Sequence, residues 1–375
     1  CDTVTDDSGS DAVADDSSSS RCCDRRHQGR SVTDGSGSDG VVDDSGSDAV
    51  TDERGSDTAA DSQRLAPDDA FAVLGNDIRM DILRTLGEAD RDVSFSTLYD
   101  AVDVDDSGQF SYHLDKMVGH FVADTDDGYR LALPGRRIVE AILSGAVTDR
   151  PSLSRTPVDT ACPYCGSGVE IQWAGGGVEL FCQSCSGRYG HAYGEGGDVR
   201  SERGYLGRHP LPPAGTRDRD PDELLHAAWT WGNLEILSVA SGLCPRCSGT
   251  VEWSVDLCEN HDAEGELCDA CGRRYALGVG FACGNCIFSS GGEPVIALGG
   301  TTELLALLTT HGLDPVDPES IRRIEEVQGE YEEEIVSSDP LRAAYTFTVD
   351  DDSVTITVDE DLAVVDVTTN TADSV

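Results

Sequence analysis

The chain has 375 residues, enough for two or three domains of ordinary size, and 38% of them are hydrophobic. Acidic residues number 71 against 27 basic ones, which gives a formal net charge of -44. No stretch approaches the roughly 18 to 20 apolar residues that span a bilayer, and no basic-then-apolar leader is visible, so we expect a soluble cytoplasmic protein without a membrane partner.

The acidity has a simple interpretation. Lys116 is the only lysine and Asp dominates the acidic residues, a pattern typical of adaptation to molar intracellular salt. At roughly 1 M salt the Debye length is about 3 Å, so surface charges hardly repel one another. The charge therefore does not exclude a nucleic-acid partner.

Residues 1–65 contain almost no large apolar side chains and repeat loosely every nine residues, as at Asp43 and Asp52. This composition predicts a disordered, acidic low-complexity tail. A calcium-binding nonapeptide repeat is the alternative, but its aliphatic position and Gly-Gly turn are missing. Cys22 and Cys23 are interpreted as a free thiol pair rather than a metal site.

Residues 66–150 predict helices, a hairpin and a closing helix. Apolar residues at helical spacing predict two helices that are interrupted at Gly75-Asn76, where Asn76 is the predicted cap of the second: Phe71, Leu74, Ile78, Ile82 and Leu86. Ser94 and Ser107 are the predicted caps of two further short helices joined by a tight turn, which is a helix-turn-helix pattern. The hairpin is predicted at Phe121–Ala123 and Tyr129–Leu133, and the closing helix at Ile138–Leu143.

Two motifs precede the hairpin: Phe71-x-x-Leu74-Gly75-Asn76-Asp77-x-Arg79 and Phe110-Ser111-Tyr112-His113-Leu114-x-x-Met117. Together with the hairpin, they resemble the ArsR-type winged helix-turn-helix transcriptional regulators of halophilic archaea. The resemblance implies a homodimer that binds double-stranded DNA and places the second short helix in the major groove. Metal sensors of that family often carry Cys-x-Cys at this helix. The segment has no cysteine, so metal sensing there is not expected.

If Phe110, Leu114 and Met117 face the core, polar residues on the other faces of the helix point toward DNA. The predicted DNA-binding residues are Gln109, Ser111, Tyr112 and Lys116 on the helix and Arg130 on the hairpin. Gln can pair with adenine, Ser and Tyr can bond phosphates or base edges, and Lys and Arg neutralise phosphates. The alternative is a solvated polar surface.

Eleven of the 14 cysteines lie beyond residue 160, and ten of these form five Cys-x-x-Cys pairs. The first four are separated by a predicted hairpin around Gly175–Gly177 and are expected to form one tetrahedral zinc site: Cys162, Cys165, Cys182 and Cys185. A disulfide pair or bound iron is the alternative.

The second cluster has eight candidate ligands. A strand is predicted over Val251–Leu257, running from the Cys-x-x-Cys segment at its start, the first knuckle, to a tip at Cys258-x-x-His261. The chain is then expected to return through Glu266–Leu267 to the first knuckle, and a second strand over Arg274–Ala282 to run outward again. This path predicts two sites. One is Cys244, Cys247, Cys268 and Cys271, and the other is Cys258, His261, Cys283 and Cys286. Two zinc sites are thus expected in the chain, with the histidine site as a possible third. Its alternatives are a surface histidine and a packed thiol pair.

These patterns predict an α+β protein with a winged helix-turn-helix, small zinc-ribbon β modules, and a C-terminal helix plus β-meander. The predicted segments are 1–65 (tail), 66–150 (winged helix), 151–200 (first zinc ribbon), 201–243 (linker and a helix over Asp222–Leu237), 244–300 (second zinc module) and 301–375 (helices over 302–308 and 318–335, then three strands).

The function expected from the sequence is DNA-binding transcriptional regulation, with zinc ribbons that are structural, bind a protein partner or sense a signal. A zinc-ribbon scaffold for protein or RNA, without sequence-specific DNA binding, is the alternative. We expect no enzyme, because no P-loop or nucleophile-base pair is visible and four-ligand zinc has no open position.

Overall fold

The computed structural model describes residues 65–193, 199–263 and 266–371. The predicted acidic tail, with Cys22 and Cys23, lies outside these residues apart from Leu65. The described residues form a mixed α+β fold with several small antiparallel sheets. Within this part of the chain, no helix has the length and apolar character that crossing a membrane requires.

The first described segment contains five helices and one hairpin, in the predicted order. They are α1 (Pro67–Leu74), α2 (Asp77–Glu88), α3 (Phe95–Ala101), α4 (Ser107–Asp115), β1 (Val122–Thr125), β2 (Gly128–Leu131) and α5 (Leu133–Leu143). Asn76 and Ser94 cap α2 and α3 as predicted. The cap of α4 is Asp106 rather than Ser107, because the Asp106 carboxylate accepts the Gly108 amide at 2.8 Å.

This helical segment has a hydrophobic core of its own. Its largest fully buried side chains are Ile82, Leu83, Leu98, Phe110, Leu114 and Met117. A second, larger core extends from the first cysteine-rich sheet to the C-terminal sheet. Burial of apolar surface therefore stabilises the two parts through separate sets of side chains.

The first cysteine-rich part is built around a four-stranded sheet. The strands of this part are β3 (Thr156–Ala161), β4 (Gly168–Ala174), β5 (Gly177–Cys182), β6 (His191–Tyr193), β7 (Val199–Ser201) and β8 (Tyr205–Pro210). The sheet order is β3-β4-β5-β8, and β6 pairs with β7 separately. The hairpin predicted around Gly175–Gly177 is β4 and β5, whereas the two outer strands of the sheet were not predicted.

The helix predicted over Asp222–Leu237 is α6 (Pro221–Ala240). It begins with a capping box, in which the Asp220 carboxylate accepts the Glu223 amide and the Glu223 side chain accepts the Asp220 amide. The helix buries Trp229 fully within the larger core.

The second cysteine-rich part has a three-stranded sheet of order β11-β10-β9. Its strands are β9 (Val251–Leu257), β10 (Leu277–Cys283) and β11 (Ser289–Gly292). The first strand is placed as predicted. The strand predicted over Arg274–Ala282 begins three residues later, because residues 258–263 and 266–276 form turns and loops.

The C-terminal part contains α7 (Val295–Leu298), α8 (Thr302–Thr310), a 3-10 helix (Pro318–Ser320) and α9 (Ile321–Gly329). They precede β12 (Glu332–Ser338), β13 (Leu341–Val349), β14 (Asp352–Asp359) and β15 (Val364–Asn370). The prediction of helix up to Ile335 is wrong, since residues from Glu332 alternate in exposure and pair with β13. The predicted three-stranded meander is thus a four-stranded antiparallel sheet.

Candidate metal centres and nucleic-acid interface

The described residues contain three groups whose ligand atoms all lie within 4.8 Å of one another. Group I is Cys162, Cys165, Cys182 and Cys185; group II is Cys244, Cys247, Cys283 and Cys286; group III is Cys258, His261, Cys268 and Cys271. Each group can hold a metal ion. Group I has the predicted membership.

The predicted division of the second cluster is wrong. Cys244 and Cys247 meet Cys283 and Cys286, not Cys268 and Cys271, which instead meet Cys258 and His261. The reason lies in strand register. Strands β9 and β10 are antiparallel with Val251 opposite Cys283 and Leu257 opposite Leu277, so the end of β10 returns to the first knuckle. The predicted return of the chain through Glu266–Leu267 to the Cys244-x-x-Cys247 segment is wrong, because residues 266–276 stay at the far end of the hairpin, where Leu257 pairs with Leu277.

The sulfur distances fit a tetrahedral ion. In group I the Sγ atoms of Cys162 and Cys185 are 3.6 Å apart, and in group II those of Cys247 and Cys283 are 3.4 Å apart. A tetrahedral zinc with Zn–S bonds of about 2.3 Å places its sulfurs about 3.8 Å apart. These two sulfur pairs lie within a few tenths of an ångström of that spacing, and all ligand atoms of each group lie within 4.8 Å of one another.

Three of the Cys-x-x-Cys segments share one backbone turn. In each, the residue after the second cysteine has a positive φ, and its amide donates to the carbonyl of the first cysteine. These residues are Gly166, Ser248 and Gly272, with φ of 69°, 59° and 65° and N···O distances of 2.9, 2.9 and 2.8 Å. The turn aims both thiols of the segment toward the same point.

Backbone amides also point at the sulfur atoms. The Cys182 sulfur accepts from the amides of Ser184 and Cys185 at 3.3 Å, and the Cys283 sulfur accepts from the Asn285 amide at 3.3 Å. Hydrogen bonds of this kind favour the thiolate, which is the form that binds metal. The groups are therefore arranged to hold negatively charged sulfur.

One thiol in each group has a lowered pKa. The hydroxyl of Ser167 lowers the pKa of Cys165 to about 6, the Asn285 side chain does the same for Cys247, and the Asp262 backbone for Cys268. Burial raises the pKa of Cys162. Each group thus contains one thiol whose hydrogen bonds favour the thiolate form.

Group III has a histidine in a defined orientation. The Nε2 atom of His261 lies 3.0 Å from the carbonyl oxygen of Arg274, which only accepts, so Nε2 carries the proton. The other nitrogen, Nδ1, is unprotonated in the neutral ring and lies 3.5 Å from the Cys271 sulfur. A second hydrogen bond that fixes the tautomer is the usual setting of a metal-binding histidine.

A buried charge cluster joins the cysteine-rich parts and was not predicted. Glu293 is fully buried, its Oε2 lies 3.4 Å from Nε of Arg188, and Arg188 donates to the Tyr164 hydroxyl at 2.7 Å. Burial raises the pKa of Glu293 to about 7. The sequence offered no signal for this residue, since a single Glu in Gly-Gly-Glu-Pro resembles any loop acid.

The predicted DNA-binding residues lie on the surface of the helical segment. Gln109, Tyr112 and Lys116 are exposed on α4, with the Lys116 ammonium 5.6 Å from the Tyr112 ring centroid. Ser111 is half-buried beside them. Arg130 is exposed on β2, 3.9 Å from Asp92.

One side chain on α2, Arg79, and one on α4, His113, each have a buried nitrogen atom. His113 is half-buried; its Nδ1 and the Nε of Arg79 are buried without a hydrogen-bond partner among the described residues. Burial, with the Arg79 charge, lowers the pKa of His113. His113 therefore lies on the partly buried side of α4 and not with its exposed residues.

These features define a mixed α+β protein with three cysteine-rich groups able to bind metal. The chain belongs to the family described as Domain of unknown function (DUF7351), whose model matches residues 159–364 and so includes all three groups. The helical segment, residues 67–142, matches a second model, Domain of unknown function (DUF7347). Neither the curated proteins nor the solved structures give a match to the chain.

Proposed function

We propose that this protein is a DNA-binding transcriptional regulator whose helical segment is a winged helix that reads the major groove as a homodimer. The observation that carries the proposal is the exposed stripe of Gln109 and Tyr112 on α4 and Lys116, the C-cap residue of that helix. Their spacing of three and four residues puts them on one face, while Phe110 and Leu114 of the same helix are buried. The helix thus has a polar face free for base edges and phosphates.

The hairpin and the sequence resemblance support the same interpretation. Strands β1 and β2 follow the exposed helix directly, as the wing does in ArsR-type regulators, and Arg130 extends from β2 with 63% of its side chain exposed. A basic side chain at this place can neutralise a phosphate beside the groove.

Exposed apolar side chains support the homodimer. Phe71 on α1 and Leu133 and Leu143 on α5 are all exposed, although each is a side chain that folding normally buries. A second copy that covers them would remove this apolar surface from water. We expect Phe71→Glu to shift the chain from dimer to monomer in sedimentation, and the exposed Glu88→Gln to leave the dimer unchanged.

We propose zinc as the metal of groups I, II and III. Four cysteines, or three cysteines with one histidine, form the donor sets of structural zinc, and the sulfur spacing suits a tetrahedral ion. Iron accepts similar ligands and is the outcome that metal analysis would distinguish. With four protein ligands no coordination position stays open, so the proposal includes no catalytic step.

The proposed binding depends little on long-range charge. The turn of the hairpin carries exposed Asp126 and Asp127, and basic contacts from Lys116 and Arg130 amount to about two phosphates per subunit. Two contacts predict a slope of log affinity against log salt of about -2 for each subunit. A slope several times steeper would contradict this account of binding.

The decisive experiment is a selection from a random DNA library by the full chain in molar KCl. We expect an enriched palindromic site, because a twofold dimer reads two half-sites. Tyr112→Ala should abolish enrichment, and Arg130→Ala should weaken binding to all sequences. Arg137→Ala is the matched control, since Arg137 is also an exposed, ion-paired arginine but lies on α5.

A second candidate function is a zinc-ribbon scaffold that binds protein or RNA. It is favoured by Ile287, whose side chain is fully exposed one residue after Cys286 of group II, and by the half-exposed Leu243 before Cys244. A zinc-loaded chain that enriches no DNA site would support the scaffold and contradict the regulator. In the regulator, group III with its histidine is the proposed sensing site for oxidant or chelator. If Cys258→Ser leaves the DNA affinity and its response to oxidant or chelator unchanged, this sensing role is contradicted.

A further inference from the structure

Group III touches the knuckle of group I, although the two groups belong to different sheets. The amide of Gly190 donates to the carbonyl of Gly272 at 2.9 Å, and Tyr189 and Arg273 form an isolated antiparallel bridge. The loop that follows Cys185 therefore lies directly against the loop that follows Cys271.

Arg274 connects ligands of the two groups through a chain of hydrogen bonds. Its carbonyl accepts from Nε2 of His261 at 3.0 Å, and its Nε donates to the Gly187 carbonyl at 2.8 Å. The Gly187 amide in turn donates to the Cys185 sulfur at 3.4 Å. The Arg274 guanidinium also lies over the Tyr164 ring, 3.9 Å from its centroid, which holds it in this position.

The group III loop has a third attachment, to the C-terminal sheet. The carboxylate of Glu333 on β12 accepts the amides of Ala276 and Leu277 at 2.5 and 3.1 Å. Apart from the Tyr189–Arg273 bridge, the described residues of the loop have no strand pairing. The Tyr275 hydroxyl also donates to the Gly329 carbonyl at 2.6 Å, and Arg273 donates to the Asp256 carboxylate at 2.8 Å. The conformation of the loop depends on its four candidate ligands together with these contacts.

Group II has different surroundings. It lies at the opposite end of the β9–β10 hairpin from group III. The two ends are separated by six residue steps along a strand, which corresponds to about 20 Å. Its knuckle is attached to α6 through Arg246, which pairs with Glu235 at 2.5 and 3.0 Å. Group II thus serves as an internal reference for events at the other two groups.

The geometry points to Arg274 as a positioning residue that couples group III to group I, so that metal in group III strengthens metal binding in group I while group II binds independently. Metal on Nδ1 of His261 holds the ring, the ring holds the Arg274 carbonyl, and Arg274 supports the turn that donates to Cys185. Without that metal, the loop loses one of its anchors at His261, and the support that Arg274 gives to the turn weakens. The inference rests on the proposed zinc occupancy, and it does not involve DNA.

The test equilibrates the full chain with graded chelator and measures alkylation of every cysteine by mass spectrometry. Cys268→Ser removes one ligand of group III. We expect the chelator concentration that half-empties group I to fall about tenfold, within the usual range of allosteric coupling, and that of group II to stay unchanged. The matched control is Cys286→Ser, which removes one ligand of group II and should leave group I unchanged.

A milder variant tests the positioning residue itself. Arg274→Lys keeps the charge and the carbonyl but loses the planar guanidinium that reaches Gly187 and covers Tyr164. We expect easier loss of metal from group I with group III still loaded, whereas Arg246→Lys, its counterpart at group II, should not affect group I. Linkage also requires Cys185→Ser to weaken group III by the same factor that Cys268→Ser weakens group I.

Three results would overturn the inference. In the first, Cys268→Ser leaves the group I midpoint within twofold of the parent chain. In the second, groups I and II weaken equally, which indicates general loosening of the fold. In the third, no cysteine is protected before chelator is added, which contradicts the zinc proposal itself. Protection of all three groups with unlinked midpoints contradicts only the coupling.

Discussion

The Sγ atoms of Cys247 and Cys283 lie 3.4 Å apart, although 36 residues separate them in the chain. Between them the chain runs along β9, forms group III and returns along β10. Group III is therefore nested inside the hairpin whose other end carries group II, and each group closes one end of the same pair of strands.

This nesting predicts how many metal ions are lost in double variants. Cys247→Ser combined with Cys283→Ser should lose one zinc per chain, because both residues serve group II. Cys247→Ser combined with Cys268→Ser should lose two. Native mass spectrometry counts the ions directly. Two ions lost from the first pair would show that these cysteines serve different sites.

Metal removal should act on one part of the chain. A structural zinc contributes on the order of 10 kcal/mol to folding, and residues 151–371 contain all three groups. The helical segment has a separate core with no cysteine. Under excess chelator in molar salt, we expect hydrogen exchange to rise throughout the cysteine-rich part and to stay slow for α2 and α4. Equal loss of protection in both parts would contradict the separation.

The turn at Ser248 offers a stabilising substitution. Ser248 has φ 59°, where a side chain costs roughly 1 to 2 kcal/mol, and the equivalent residues of the other two turns are glycines. Ser248→Gly should stabilise the folded chain by about 0.5 to 1 kcal/mol after the added flexibility of the unfolded chain is counted.

The reverse change is the control. Gly166 has φ 69°, and a Cβ built there meets no atom within 4 Å, so Gly166→Ser tests the backbone conformation alone. It should destabilise by a similar amount. Thermal unfolding of the zinc-loaded variants measures both effects, and shifts of the same sign would refute the explanation.

The pH dependence of stability should contain a contribution from Glu293. Its pKa is about 7 in the folded chain and near 4.5 when unfolded, so the folded state binds the extra proton between these values. The contribution is therefore fully present below about pH 4.5 and is lost as the pH rises to 7, in total about 3 kcal/mol.

Glu293→Gln should remove this loss. We expect the variant to show a smaller decline of unfolding free energy from pH 5 to pH 7.5 than the parent chain, with the exposed Glu360→Gln as control. Comparing variants at each pH cancels the effect of pH on the metal ligands, which all of them share. Parallel pH curves for Glu293→Gln and the parent would show that this carboxyl does not titrate in the folded chain over that range.

Much of the local structure was predictable. The caps at Asn76 and Ser94, the helix over Asp222–Leu237 and the Gly-rich turn between β4 and β5 depend on residues within a few positions, and these predictions are confirmed. The helix predicted up to Ile335 failed because its acidic run has high helix propensity, while pairing with β13 decides the conformation.

The candidate metal ligands are readable from the amino-acid sequence, because Cys-x-x-Cys spacing is a property of one short turn. The sequence also determined the exposed stripe on α4, since helical periodicity separates buried from polar positions. Which cysteines come together in one group became clear from the fold alone, because it depends on the direction in which the chain returns after β9. Likewise, the burial of Glu293 and the reach of Arg274 to Gly187 depend on segments about 90 to 100 residues apart, whose approach no local pattern encodes.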